Sequence, residues 1–310
     1  MRKGRTRNVI NRMETRMDIG ATGVWTRMDG FSTHEAIEFA QCVEDLGYGA
    51  LWIPDAFGRD PFAHAAMLFQ HTKRLVIATG VVNIHLREAQ ATACAQRELH
   101  DQSGGRFLLG LGVSHQTAVE PLLGKTYPAP LPSMREYLDK MDNAMWWGPA
   151  FDDKPPVILA ALGPLMLKFA AARTLGAHPF FAPPENTRRS REIMGEDAWL
   201  CPEQKVLLES DPEKARARAR QAMAGPLTMP NYRKNLIRSG FTEAELNDGG
   251  ADRVIDAVVA WGDESALVDR VRDHRSAGAT HVCIQPLDVD DPTRPSTATL
   301  ERLAPLLREV

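Results

Sequence analysis

Four cysteines in 310 residues, at 42, 94, 201 and 283, is a small and scattered set. No two form a C-x-x-C pair or a zinc spacing, which excludes a disulfide framework and a thiolate zinc site. The pattern reads instead as buried thiols in a reducing cytosol. No apolar run approaches the roughly 18 residues that a membrane helix needs. Charge of one sign is also missing. The formal net charge is -3, so no nucleic-acid footprint is expected. The nine histidines never fall at a metal-ligand spacing, and no metal is expected. There is no phosphate-cradling P-loop. Gly112-x-Ser114-x-Gln116 breaks the Gly-x-Ser-x-Gly elbow of a serine hydrolase.

What is there is 44% hydrophobic and long enough for one large α/β domain. Residues 1–17 stand apart. Arg2, Lys3, Arg5, Arg7, Arg12 and Arg16 carry charge with hardly any apolar partner. No hydrophobic h-region follows, so a disordered basic arm is expected rather than a secretory signal. From residue 18 onward one unit recurs: a helix, a glycine, a short apolar strand and a polar exit. Ser32-x-x-Glu35 is a capping box that opens the first helix. Strands are expected at 18–25, 50–54, 75–82, 107–111, 157–161, 177–181, 204–209 and 281–285. The fourth, Phe107 to Leu111, lies between Gly104-Gly105 and Gly112 and has the length of a buried parallel strand. Alternation of this kind implies a parallel sheet, because each crossover needs a helix. Eight units in about 300 residues favour a (β/α)8 barrel over a doubly wound sheet. Residues 18–310 therefore read as one barrel domain with insertions after strand four (114–156) and around strand seven (211–262). Within the first insertion, Ser133-x-x-Glu136 reads as a cap, with Met134, Tyr137, Leu138, Met141 and Met145 on one helix face. A further helix is expected near 251–260.

In a barrel the strand exits converge on one site. Here they are mostly apolar: Trp25-Thr26, Asp55-Ala56-Phe57, Gly80 to Asn83, Val113-Ser114-His115, Ala161 to Pro164 and His178 to Phe180. With no nucleophile, metal or paired carboxylates of its own, such a site needs an organic cofactor to carry the chemistry. Three features suit a flat tricyclic group with a phosphate tail. Gly80 breaks a buried strand and lets backbone approach a ring. Ala161-Leu162-Gly163-Pro164 opens a helix whose free N–H groups could bind phosphate. Trp25 and Phe57 could wall an apolar substrate pocket. Each has a plainer alternative: a bulge at Gly80, an ordinary turn at Gly163, a core tryptophan at 25.

The segments Leu46 to Asp55, Ala78 to Val82, Gly105 to His115 and Ala161 to Ala170 together resemble the bacterial-luciferase-like superfamily, in its branch of oxidoreductases dependent on the deazaflavin coenzyme F420. The likeness runs from Gly20 to about Gln285. It implies a (β/α)8 barrel, commonly dimeric through helices flanking strands two to four, in a cytoplasmic enzyme acting on a small organic molecule. It also implies site residues. Asp55 matches an acidic residue near the deazaflavin ring. Gly80-Val81 matches a non-proline cis peptide behind the ring, with Asn83 beside it. Val113-Ser114 matches backbone touching ring and tail, and Ala161, Leu162 and Gly163 match the phosphate-side turn. His115 sits where a related enzyme places an acid. Several relatives carry a histidine base after the strand-two aspartate, and here that position is Ala56. His115 or His178 is then the candidate acid–base group, with Asp55. Hydride transfer with F420 is the expected activity. The alternatives are an FMN-dependent monooxygenase using O2, and a non-catalytic flavin-binding relative.

Overall fold

The computed structural model describes residues 17–55 and 58–310. The basic arm, apart from Met17, and both Ala56 and Phe57 lie outside the described residues. The elements alternate as the sequence implies. β1 (Thr22–Trp25), α1 (Thr33–Asp45), β2 (Ala50–Ile53), α2 (Pro61–Phe69), β3 (Val76–Thr79), β4 (Val82–Asn83), α3 (Ala89–Gln102) and β5 (Phe107–Gly112) come first. Then follow α4 (Gln116–Leu123), α5 (Pro130–Asp142), β6 (Val157–Leu159), α6 (Pro164–Arg173), β7 (Gly176–Ala177), α7 (Pro184–Met194), β8 (Trp199–Leu200) and β9 (Glu203–Leu208). The chain ends with α8 (Pro212–Leu227), α9 (Pro230–Arg238), α10 (Asp252–Val258), β10 (Val259–Gly262), α11 (Glu264–Ser276), β11 (Val282–Leu287) and α12 (Thr297–Leu307).

The strands pair in parallel in the order β10-β9-β11-β1-β2-β3-β5-β6-β7-β8, with β4 also on β5. Cys201 and Pro202 carry the chain straight from β8 into β9. On one side of this segment Cys201 N–H donates to the Ala177 carbonyl at 2.9 Å, and on the other Cys283 N–H donates to the Pro202 carbonyl at 2.9 Å. The order of neighbours thus returns on itself, and the sheet is curled. Trp25, Trp52, Leu108, Ile158, Cys201 and Cys283 meet inside it, while a larger apolar layer lies between sheet and helices. A third cluster, which includes Leu207, Met223, Leu236 and Val254, packs under α8, α9 and α10.

Local signals hold where they are self-contained. Ser32 accepts from Glu35 N–H at 3.2 Å and its own N–H donates to Glu35 at 2.6 Å, a complete capping box. The expected cap at Ser133 is corrected: the N-cap of α5 is Ala129, four residues earlier, because Pro130, with its preset φ, occupies the first helical position. Ser133 lies inside the helix and its hydroxyl donates back to the Ala129 carbonyl at 2.9 Å. Met145 falls beyond the helix end and is 68% exposed, off the expected buried face. The helix expected near 251–260 stops at Val258. Val259 to Gly262 forms β10, because the upper half of β9 offers it an open ladder edge. A four-residue apolar run cannot be assigned to helix or strand by periodicity alone. In the 114–156 segment, α4 sits beside the strand exits, whereas α5 packs on α3 through the Thr92–Tyr137 hydroxyl pair at 2.6 Å.

Candidate functional site

Asp55 leaves β2 with a side chain only 3% exposed. One of its oxygens accepts Asn83 N–H at 3.1 Å and an Arg87 guanidinium N–H at 2.5 Å. Arg87 also reaches Asp60, the N-cap of α2, at 2.6 Å. The carboxylate is therefore charge-paired and tied to the β3–β4 turn, whose Val81 carbonyl also accepts Asp55 N–H at 3.4 Å.

The peptide between Gly80 and Val81 is cis. The Trp25 indole N–H donates to the Gly80 carbonyl at 3.0 Å, joining the first strand exit to the third. The glycines of β5 make this close approach possible. A Cβ at Gly110 would fall 1.9 Å from the Thr79 carbonyl oxygen, and one at Gly112 would fall 2.5 Å from Val81 Cγ2. Thr79 locks the crossing, with its hydroxyl donating to the Gly110 carbonyl at 2.9 Å and accepting Gly110 N–H at 2.7 Å. Ser114, just beyond, takes the left-handed conformation at φ 56. This is an uncommon place for a residue with a side chain, and such outliers concentrate at functional sites. The Tyr127 hydroxyl donates to the Ser114 carbonyl at 3.2 Å.

At the next exit, Gly163 caps α6 with Pro164 at the first helical position, and no side chain satisfies the helix's leading N–H groups. The space a Cβ would take at Gly163 is open. Leu162 and Gly163 are half-buried and Ala161 is buried.

His178 is buried inside the sheet, stacked on Trp52 with ring centroids 4.5 Å apart. Its Nδ1 faces the Cys201 carbonyl at 2.7 Å, so the proton sits on Nδ1 and Nε2 carries a lone pair. That Nε2 has no partner, and it lies 3.3 Å from where a Gly80 Cβ would be. Burial pushes the imidazole down to about 4. At neutral pH His178 is thus an acceptor aimed at the Gly80 turn. The interior also holds His281, which donates from Nδ1 to the Gly20 carbonyl at 2.9 Å and accepts the Trp52 indole N–H at 3.1 Å.

These buried rings predict an acid sensitivity. Burial first of all lowers His178, His281 and His64 to about 4 and His274 to about 3, from an ordinary 6.5. Between those values the unfolded chain binds protons that the folded chain refuses, so stability falls as pH falls. Each ring contributes up to about 1.4 kcal/mol per pH unit. Urea midpoints measured from pH 7 down to pH 5 are expected to drop steeply. A flat profile would mean that water reaches the rings.

A chain of aromatic contacts carries the site from Trp25 to His115. Trp25 meets Phe180 at 5.0 Å, Phe180 meets Tyr232 of α9 at 5.9 Å, and Tyr232 meets His115 at 5.3 Å. His115 Nδ1 is 2.9 Å from the Asn231 side-chain oxygen. Burial lowers the His115 imidazole, and the Asn231 contact opposes that. α9 therefore reaches over the exits from the second insertion.

The structure thus gathers Trp25, Asp55, Gly80, Val81, Asn83, Val113, Ser114, His115 and His178 at neighbouring exits. Phe180 was placed only as part of the His178 to Phe180 exit, and sequence reasoning missed Arg87, Asn231, Tyr232 and the buried pair Glu203–Lys205. Only the last left a trace, two charges on a strand otherwise made of apolar residues and one glutamine. Among the described residues no cluster of His, Cys, Asp and Glu could hold a metal. An open groove of about 650 Å³ along α5 touches none of these exits.

Residues 13–281 match the family model described as luciferase-like monooxygenase, and the chain belongs to that family. Its relatives are F420- or flavin-dependent oxidoreductases. The chain is 25% identical to the 5,10-methylenetetrahydromethanopterin reductase of Archaeoglobus fulgidus, over 80% of this chain and 88% of that one. A Mycobacterium tuberculosis protein, whose name places it among coenzyme F420-dependent oxidoreductases, is 36% identical over 33% of this chain and 29% of its own length. Among solved structures, an F420-dependent secondary alcohol dehydrogenase bound to an F420–acetone adduct superposes with a TM-score of 0.71 at 15% identity, covering 93% of this chain and 98% of that one. The FMN-bound 3,6-diketocamphane monooxygenase of Pseudomonas putida superposes with a TM-score of 0.68 at 15% identity, covering 91% and 96%. Among the described residues no helix is long and apolar enough to cross a membrane.

Proposed function

We propose that the protein is an F420-dependent oxidoreductase that moves hydride between the deazaflavin and a small organic substrate. The curled sheet is then a (β/α)8 barrel with insertions at 114–156 and 211–262, and the mouth at the strand exits is the active site. The observation that carries the reading is the uncapped start of α6 at Gly163, with open space before it. Unsatisfied N–H groups and the positive end of the helix dipole suit a phosphate tail. The unpartnered Nε2 of His178 adds a buried acceptor for a ring or substrate N–H or O–H. When bound, the cofactor supplies hydride chemistry. The chain's own part is to support the ring with the Gly80–Val81 turn and Asp55, to hold the tail at Val113, Ser114 and Ala161 to Gly163, and to exclude water with Trp25, Phe180 and Tyr232. His115 is the group that moves a proton. A second reading, an FMN-dependent monooxygenase, draws on the likeness to the diketocamphane enzyme.

Side-by-side fluorescence titration with F420, FMN and FAD is the test. F420 is expected to bind at least tenfold tighter than FMN, about 1.4 kcal/mol. Equal or reversed affinities would leave the monooxygenase reading. His115→Ala is expected to lower turnover of reduced F420 by at least roughly tenfold, since general acids typically contribute 10²–10⁴, while F420 still binds. Unchanged turnover would reduce His115 to a loop-holding role through Asn231. A homodimer in the cytoplasm completes the proposal, with sedimentation as the check on its oligomeric state.

A further inference from the structure

The pair Glu203–Lys205 has no role in the reading above. Both residues follow Cys201 of the interior cluster at alternate positions, while Gln204 between them turns outward to His274 of α11. Their side chains are 1% and 2% exposed. Glu203 is held at both oxygens, accepting from Lys205 Nζ at 3.0 Å and from Phe181 N–H at 3.1 Å. An ammonium has three N–H groups. The other neighbours of Lys205 Nζ are aromatic faces, Phe180 with its centroid at 4.2 Å and Phe181 at 5.3 Å. Next to Lys205 in register on β11 is Gln285, whose side-chain oxygen is buried without a partner. Phe180 is the ring that touches Trp25, and Trp25 donates to the Gly80 carbonyl, so two aromatic side chains link the ammonium to the Gly80 turn.

We propose that Lys205 determines specificity at this site by donating a hydrogen bond to a neutral carbonyl oxygen of the substrate, which makes ketones, aldehydes and enones the substrate class. The inference rests on the oxidoreductase reading and names what that site accepts. An aromatic face is a weaker partner for an ammonium N–H than a carbonyl oxygen, so a carbonyl compound gains by taking the ring's place. Glu203 already neutralises Lys205. A carboxylate or phosphate would therefore bring an unpaired charge into a buried site, whereas a neutral carbonyl brings none. A hydrocarbon of the same shape leaves the donor unanswered. Phe180 and Trp25 supply the apolar wall for the rest of the molecule.

The test uses the full chain and three probes built on one six-membered ring: cyclohexanone, its isostere methylenecyclohexane, and cyclohexanecarboxylate. Affinities are read by ligand-observed NMR with and without F420. The wild-type protein is expected to bind cyclohexanone at least tenfold tighter than either of the others. The double variant Glu203→Gln/Lys205→Met replaces the ion pair by neutral groups of similar size. It is expected to lose that preference, with its affinity for F420 unchanged and its affinity for methylenecyclohexane equal to or higher than that of the wild type, since no donor is left unanswered. A wild-type protein that does not distinguish the ketone from the hydrocarbon, or that prefers the carboxylate, overturns the proposal. So does a double variant that keeps the preference. The wild-type comparison needs no variant to fold. F420 binding without a ketone preference removes this inference alone. A Lys205-dependent ketone preference without F420 binding removes the cofactor assignment alone.

Discussion

Lys205→Met is expected to destabilise the protein by about 3–5 kcal/mol, the usual cost of removing one partner of a buried ion pair. The substitution leaves the Glu203 carboxylate inside the sheet with one hydrogen bond, from Phe181 N–H, and no counter-charge. It also removes the cation from the faces of Phe180 and Phe181. Adding Glu203→Gln restores neutrality and keeps an oxygen for the Phe181 N–H. The double variant should recover most of the loss and end within about 1–2 kcal/mol of wild type, since replacing both partners of a buried pair is often near neutral. Urea unfolding of wild type, both single variants and the double variant closes the cycle and isolates the coupling. A single-variant loss of about 1 kcal/mol or less would mean that water screens the pair, as it does at exposed sites.

Gly110→Ala should be harder on the protein than its one added carbon suggests. The new Cβ would lie 1.9 Å from the Thr79 carbonyl oxygen and 3.0 Å from Val81 Cγ1. The first of these is backbone in a buried strand, so no flexible side chain can yield. β3 and β5 must separate, and the Thr79 hydroxyl loses its paired bonds to Gly110. Overpacking of a core ordinarily costs about 1–3 kcal/mol, and backbone displacement puts this case at the upper end or beyond. The expected result is a low soluble yield or a fall of at least about 3 kcal/mol in unfolding free energy, together with weaker binding of the proposed cofactor as the Gly80–Val81 turn shifts. Gly163→Ala is the control. Its Cβ meets nothing within 4 Å, and its stability should change by less than about 1 kcal/mol. Equal behaviour of the two variants would remove the close-approach argument.

How much of the molecule was readable depended on the distance over which each signal acts. The Ser32–Glu35 box spans four residues, and it forms as written. At Ser133 the same motif failed because Pro130, also local, competes for the helix start and wins. Each of the eight expected places holds a strand, since each is a short apolar run between a helix stop and a polar exit. The third, however, is split by the Gly80–Val81 turn, and the sixth, expected at 177–181, shrinks to Gly176–Ala177. The strand at Val259 was misread because an apolar tetrapeptide takes its conformation from the edge it meets, here the upper half of β9.

By itself, the sequence determined the parallel α/β alternation, the order of units and the set of exits from which a site could be built, because helix caps, glycine stops and apolar periodicity act over a few residues. The residue types missing from those exits pointed to a bound organic cofactor as the carrier of the chemistry. Only the tertiary structure decided which side chains meet. Asp55 is paired with Arg87, 32 residues away in sequence, and His115 is held by Asn231, 116 residues away. His178 is neutral and unpartnered at Nε2 because the strands curl into an interior that excludes water. Lys205 faces that interior and not solvent because strand register sends alternate residues of β9 to opposite sides. A one-residue slip would place Gln204 there instead.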